Sequence, residues 1–300
     1  MGTSLTSATV LGFGTMGQGI VRLLVAHGVD VSVLDVDVEK ARETAARLAE
    51  GAGPSASISV HSTVAEVAGA EVVFEALPEE LALKTAVLRQ VLAANPSALL
   101  FTNTSSLPVD TMAGTVGDPG TLVGVHFFNP AEVMPGVEVI PSAATDPGVV
   151  TRALSILEGL GKTPTVVRSS AGFIGNRLQL ALFAEAARCV EEGLAGPEDI
   201  DRVVRTTFGP RLAAYGPFAI ADMAGLDVFE AILRQLQQAF GDRFATPSGL
   251  AEKVAEKKLG TKTLGGYFSY DEAAVAALHA DRDATYQRII DAARGRREAG

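Results

Sequence analysis

Residues 10–19 read VLGFGTMGQG, and the fold turns on how they are read. They continue a short β-branched run, ATVLGF, and open a stretch of helical spacing that reaches His27. Gly12, Gly14 and Gly17 stand in the order G-x-G-x-x-G. In a strand-to-helix turn the first two permit a tight bend and let the backbone approach a pyrophosphate, which the helix N-terminus stabilises. The third lets the helix pack closely. A strand–helix turn that binds nothing can carry the same glycines, so the flanking pattern matters.

That pattern repeats. VSVLD, EVVFEAL, ALLFTN and LVGVHFF are apolar, β-branched runs, separated by helical segments that begin near Val38 and Leu81. A further helix over residues 149–160 and a strand, TPTVV, complete the unit. Strands alternating with helices predict a parallel sheet covered on both faces. After Ser169-Ser170 the spacing changes to long amphipathic stretches broken at Gly-Pro pairs, among them FIGNRLQLALFAEAARCVEE and GLDVFEAILRQLQQAF. The expected architecture is α/β: a Rossmann-like doubly wound parallel sheet over residues 1–168, then an all-helical C-terminal domain over residues 169–300.

The second strand ends at Asp35, where a carboxylate can accept from the ribose hydroxyls of an adenosine. Its other reading is a helix N-cap. A 2′-phosphate would be repelled there, and VLDVDVEK offers no arginine, so NAD is expected rather than NADP.

Composition sets the class. The 300 residues are 47% hydrophobic and 20% charged, an ordinary globular balance. The net charge of −10 argues against nucleic acid as a partner. One cysteine, Cys189, excludes an internal disulfide framework and a multi-cysteine metal site, and no metal is expected. No signal-peptide pattern and no run near the roughly 18 apolar residues of a membrane span are present, so a cytoplasmic enzyme is expected.

The chain has four histidines, and one opens HFFNPAEVMPGVEVI, residues 126–140. Oxidising a secondary alcohol requires a base for the hydroxyl proton, and histidine titrates in the right range. His126 falls at the C-terminal end of a strand, the side on which such sheets bind ligands. Glu138 can receive the imidazole N–H and fix its tautomer if the intervening loop brings it back. The bland reading is a histidine satisfied by backbone beside a salt-bridged glutamate. FTNTSSLPV adds a polar cluster, Asn103, Thr104, Ser105 and Ser106, at the end of the preceding strand. AGFIGNRL places Asn176 on the first turn of the domain-linking helix. Caps and helix ends are the alternatives for these residues.

With these residues in hand, the chain resembles the 3-hydroxyacyl-CoA dehydrogenase family over nearly its whole length. The matching stretches are the loop of residues 12–19, FEALPEELALK, NTSSLPV, HFFNP, VEVI, GFIGNRL, GPFAIADMAGLD and KTLGGYFSY. The resemblance implies His126 and Glu138 as a catalytic pair, with Ser105 and Asn176 contacting substrate and cofactor. It implies Gly12, Gly14, Thr15, Met16, Gly17, Asp35, Glu79, Lys84 and Asn103 as the residues around NAD. It also implies a homodimer formed by the helical domain, a hydroxyacyl substrate and a place in fatty acid metabolism.

The departures concern the substrate handle. Family members that use CoA usually carry a longer, lysine-bearing excursion after the second strand; here the connection is the short EGAGPSASISVHS. Between Arg47 and Lys84 there is no Lys or Arg, but there are Glu50, Glu66, Glu71, Glu75, Glu79 and Glu80. The 3′-phospho-ADP part of CoA is strongly anionic and has no cationic clamp in that stretch. Lys253, Lys257, Lys258 and Lys262 are a possible substitute, or a solvated helix face. Met134-Pro135-Gly136 replaces the family's usual lysine and leucine beside the substrate, and the usual K-T-G ending reads Lys262-Thr263-Leu264. A carrier-bound acyl group or a carboxylated alcohol free of CoA are therefore alternative substrates. The similar opening of the 3-hydroxyisobutyrate and 6-phosphogluconate dehydrogenases does not extend to their catalytic lysine, which the helix AGFIGNRLQLALFAEAARC lacks. A NADH-binding structural or sensing protein is the reading from another class.

Overall fold

The computed structural model describes residues 5–50, 56–67 and 69–294. In chain order it forms β1 (Ser7–Leu11), α1 (Thr15–Ala26), β2 (Asp30–Leu34), α2 (Val38–Glu50), β3 (Ile58–His61), α3 (Val64–Val67), β4 (Val72–Glu75) and α4 (Leu81–Ala94). There follow β5 (Leu99–Thr102), α5 (Val109–Ala113), β6 (Leu122–Phe127), β7 (Gly136–Pro141), α6 (Pro147–Gly159), β8 (Thr163–Val166) and α7 (Gly175–Glu191). The remaining helices are α8 (Pro197–Thr206), α9 (Gly209–Ala214), α10 (Pro217–Ala224), α11 (Leu226–Phe240), α12 (Ser248–Ala255) and α13 (Glu272–Arg294).

The strands make one sheet in the order β3-β2-β1-β4-β5-β6-β7-β8. All neighbours run parallel except β6 and β7, which are antiparallel. The expected all-parallel sheet is thus mostly parallel, and loop length gives the reason. Residues 128–135 join β6 to β7, too few for a parallel crossover, which needs about a dozen or more. Central strands are buried on both faces: β4 and β6 have no residue open to water, whereas the edge strand β3 is only half-buried. Successive side chains alternate faces, so Val10 joins one apolar layer with Ile20, Leu24 and Phe74, while Leu11 joins the other with Leu88, Leu100 and Met112. Each such side chain, fully buried, contributes about 1.5–3 kcal/mol.

The chain divides into two compact units, Met1–Phe183 and Ala184–Gly300. In the second, Ala221, Leu226 and Leu250 form a small core with Phe229, Leu233 and Tyr267. Beside it the buried Asp222 carboxylate accepts from the N–H groups of Tyr267 and Phe268 and from the Tyr270 hydroxyl, each at 3.0 Å. Burial, reinforced by this bond and the negative charge, pushes the Tyr270 hydroxyl up to about 12. Among the described residues no helix is long and apolar enough to cross a membrane.

Candidate active site

The turn from β1 to α1 has the close approaches its glycines predict. Gly12 has φ +87, and a Cβ there would lie 2.7 Å from the carbonyl oxygen of Ala76. A Cβ on Gly17 would meet the Gly12 carbonyl oxygen at 2.0 Å, so any larger residue would push α1 off the loop. Gly14 has no atom within 4 Å of its missing Cβ, and no side chain caps the helix it begins. An uncapped helix start with open space before it is suited to an anion. Thr15 is exposed and Met16 packs half-buried against the sheet core.

Asp35 follows β2 directly. One carboxylate oxygen accepts from the Phe13 N–H at 2.7 Å and the other from the Asp37 N–H at 2.9 Å, which fixes its orientation toward the loop. The capping role at α2 belongs to Asp37, whose carboxylate accepts from the Lys40 N–H. A cleft here is lined by Phe13, Gly14, Gln18, Asp35, Asp37 and Lys40. Open backbone at Gly14 and an oriented carboxylate fit the pyrophosphate and adenosine ribose of NAD.

The antiparallel pairing of β6 and β7 puts His126 directly opposite Glu138, and side chains so paired share a face. The imidazole Nδ1–H donates to Glu138 Oε2 at 2.9 Å. Glu138 Oε1 accepts from the N–H groups of Ile174 and Gly175, both at 2.9 Å. Both residues are buried, at 3% and 6% exposure. With Nδ1 turned to the carboxylate, Nε2 is the ring nitrogen left for a substrate, and it has no hydrogen-bond partner among the described residues. The rings of Phe128 and Phe173 lie against the imidazole, with centroids at 4.8 and 5.5 Å.

Separate hydrogen bonds tie residues next to this pair to the turn after β5. Asn176, next to Gly175, donates from Nδ2 to the Ser105 carbonyl at 3.2 Å, and the Ser105 residue is exposed. Asn103 accepts from the Phe127 N–H at 2.8 Å, tying the end of β5 to β6 beside the histidine. Glu79 Oε1 gathers the Thr104 and Ser106 hydroxyls and the N–H groups of Ser105, Ser106 and Leu107. Burial works to raise its pKa, but the Thr104 hydroxyl, the Ser106 N–H, the Lys84 ammonium and the Ser105 N–H outweigh it and hold the carboxyl at about 2. Glu79 therefore anchors the turn that presents Ser105.

Lys84 is 1% exposed and donates to Glu75 Oε1 at 2.6 Å and to the Leu77 carbonyl at 3.0 Å, with Glu79 at 3.3 Å. It lies beneath the Glu79 turn rather than facing an open cleft. Its partner Glu75 also accepts from the Leu77 N–H and the Thr102 hydroxyl. Sequence reasoning assigned Glu75 no role, though a lone acid in the buried run VVFE was its signal. It also passed over Lys162, whose buried ammonium donates to the carbonyls of Ala131 at 2.6 Å and Met134 at 2.9 Å. Burial pushes its pKa down, opposed by Glu132, and the bonds tie back the loop between His126 and Glu138.

The basic segment of the helical unit is largely engaged. Lys253 donates to the Gly266 carbonyl and lies over the Tyr267 ring, Lys258 pairs with Glu256, and Lys262 pairs with Asp227. No metal-binding group of three or more His, Cys, Asp or Glu occurs among the described residues.

A glycine-cornered phosphate loop on a mostly parallel sheet, followed by a helical unit, defines the class of two-unit dinucleotide-dependent dehydrogenases. Residues 7–170 match the NAD-binding domain and residues 172–270 the C-terminal domain of 3-hydroxyacyl-CoA dehydrogenase. The chain belongs to that family and is an NAD-dependent oxidoreductase acting on CH–OH groups. It is 34% identical to a probable 3-hydroxybutyryl-CoA dehydrogenase of Bacillus subtilis, over 88% of this chain and 96% of that protein. It is 31% identical to the 5-formyl-3-hydroxy-2-methylpyridine 4-carboxylate 5-dehydrogenase of Mesorhizobium japonicum, over 93% and 95%. The crystal structure of a 3-hydroxyacyl-CoA dehydrogenase from Archaeoglobus fulgidus superposes with a TM-score of 0.82 at 30% identity, covering 95% of this chain and 98% of that one.

Proposed function

We propose that this chain oxidises the 3-hydroxyl of a 3-hydroxyacyl thioester to the 3-keto product, reversibly, with His126 as general base and Glu138 as the group that orients it. The observation that carries the reading is the 2.9 Å bond from His126 Nδ1–H to a carboxylate already held by two backbone N–H groups. Nε2 takes the hydroxyl proton, and the fixed negative charge of Glu138 stabilises the imidazolium that results. NAD, when bound, supplies the hydride acceptor. The residues to hold it are Gly12, Gly14, Thr15, Met16 and Gly17 at the phosphates and Asp35 at the ribose, with Glu79, Lys84 and Asn103 shaping the nearby turns. The Ser105 hydroxyl and the Asn176 amide hold the reacting oxygen or the adjacent carbonyl. The same reading includes a cytoplasmic homodimer. Support for a second copy comes from α7, which has no buried residue and exposes Leu178, Leu182, Phe183 and Val190.

A second reading, the same chemistry on a carboxylated alcohol without CoA, is favoured by a specific observation: Lys253, Lys258 and Lys262 are occupied within the chain. The test is NADH formation from NAD and (S)-3-hydroxybutyryl-CoA, beside free 3-hydroxybutyrate and a His126→Ala control. Turnover of the thioester, reduced at least about 1000-fold in the variant, is expected for a lost base and its oriented partner. Turnover undiminished in His126→Ala removes the histidine from the mechanism. Turnover of the free acid alone replaces the first reading with the second.

A further inference from the structure

We infer that Phe173 is a positioning residue that holds both members of the His126–Glu138 pair; the inference rests on that pair being the acid–base couple proposed above. Phe173 lies in the turn between β8 and α7 with φ +49. A bulky side chain in the left-handed region is strained, and such strain persists only where the surroundings over-determine it. Here three features do so. The preceding Gly172 is left-handed too, at φ +71. The Phe173 N–H donates to the Ser170 carbonyl at 3.1 Å. The ring is 1% exposed and anchored in the apolar layer that holds Leu11, Leu100 and Ile140.

The consequence falls on the next two peptide groups. The N–H groups of Ile174 and Gly175 converge on Glu138 Oε1, both at 2.9 Å, because the chain turns left-handed just before them. Consecutive N–H groups gathered by such a turn make a concave site for an anion, here the carboxylate of the chain itself. With φ at Phe173 returned to the ordinary negative region, the two donors would swing away and leave Glu138 Oε1 buried without its partners. The same residue reaches the other member of the pair, since its ring packs on the imidazole at 5.5 Å and 56°. Backbone and ring of one residue thus set the carboxylate and the imidazole together. A displacement of about 1 Å in such a pair costs on the order of 100-fold in rate.

The experiment compares the wild type with Phe173→Leu and Phe173→Val. Leucine keeps an apolar anchor without a branch at Cβ, whereas valine, branched at Cβ, opposes a left-handed backbone. Each chain is measured for kcat and KM with (S)-3-hydroxybutyryl-CoA, for NADH affinity by fluorescence titration, and for the downfield imidazole Nδ1–H proton resonance, assigned by its loss in His126→Ala. The expected result for Phe173→Val is loss of the resonance and a kcat lowered about 100-fold, with KM and NADH affinity within about threefold. Phe173→Leu keeps the resonance at a shifted position and loses about tenfold in kcat. The inference is overturned by a folded Phe173→Val with the wild-type resonance and kcat, or by kcat, KM and NADH affinity declining in parallel, which is what loss of packing alone produces. A wild type with no protected Nδ1–H overturns it as well. Should Phe173→Val fail to fold, Phe173→Leu decides, and an unshifted resonance with wild-type kcat overturns the inference. If the thioester is not a substrate, the resonances still decide for Phe173, while the acid–base reading is judged by turnover alone.

Discussion

At the scale of single residues, Glu79 shows how one carboxylate can organise a whole turn. Its Oε1 accepts from two hydroxyls and three backbone N–H groups of the Thr104–Leu107 turn, and Oε2 faces the buried ammonium of Lys84. These donors hold the folded-state pKa at about 2 against an ordinary 4.5. Because the value is depressed, the stability it contributes is complete above about pH 4.5 and is lost as pH falls through about 2. Glu79→Gln is therefore expected to cost about 1–2 kcal/mol near neutrality, a moderate figure because 35% of the side chain is open to water. Thermal midpoints of the two chains across the acid range check this. The gap between them should be constant down to about pH 5 and then close. A gap that persists unchanged to pH 2 would mean that the carboxylate's charge contributes nothing and that only the side chain's shape matters.

The next scale is that of strands, turns and helices, where the β1–α1 turn separates two roles that one motif joins. At Gly17 a methyl group would overlap the Gly12 carbonyl, whereas at Gly14 it would project into open space. Gly17→Ala should destabilise the fold by about 1–3 kcal/mol through overpacking and weaken NADH binding with it. Gly14→Ala should change stability by less than about 1 kcal/mol yet, with the turn holding the pyrophosphate as proposed, weaken NADH at least about tenfold. Denaturation and NADH titration of both variants separate the two effects. A Gly14→Ala chain that binds NADH as the wild type does would dissociate the turn from the phosphates. The order of strands and helices was legible because ATVLGF, EVVFEAL and LVGVHFF are continuous apolar runs, as strands buried on both faces require. The edge strand β3 was not, since ISVH is only four residues long, has no fully buried position and follows the small and polar stretch EGAGPSAS. The direction of β7 lies in the length of its loop rather than in VEVI, and so escaped a reading by periodicity. The His126–Glu138 contact could be anticipated only on condition that the loop returned. The left-handed backbone of Phe173 leaves no mark in residue type beyond the glycine before it.

For the whole molecule the governing quantity is charge. The chain carries −10 overall, and no Lys or Arg occurs between Arg47 and Lys84. Of the four lysines in the segment 253–262, only Lys257 has no ion pair or side-chain hydrogen bond among the described residues. A 3′-phospho-ADP group draws affinity from such cations, each exposed pair contributing up to about 1 kcal/mol and bidentate or buried pairs more. If the substrate is the proposed thioester and no cation outside these two segments serves, recognition rests on the acyl end, where His126, Ser105 and Asn176 are linked through Glu138 and Gly175. Removing the phosphoadenosine should then matter little. The expectation is that (S)-3-hydroxybutyryl-pantetheine is oxidised with a kcat/KM within about threefold of that for the CoA thioester, and that raising salt changes both values by similar small factors. Steady-state rates with the two thioesters at low and high ionic strength measure this directly. A preference for the CoA form of about 30-fold or more, eroded by salt, would instead require a cationic clamp formed by other residues. The carboxylates of the 48–83 stretch would then have to lie away from the adenine end of the substrate.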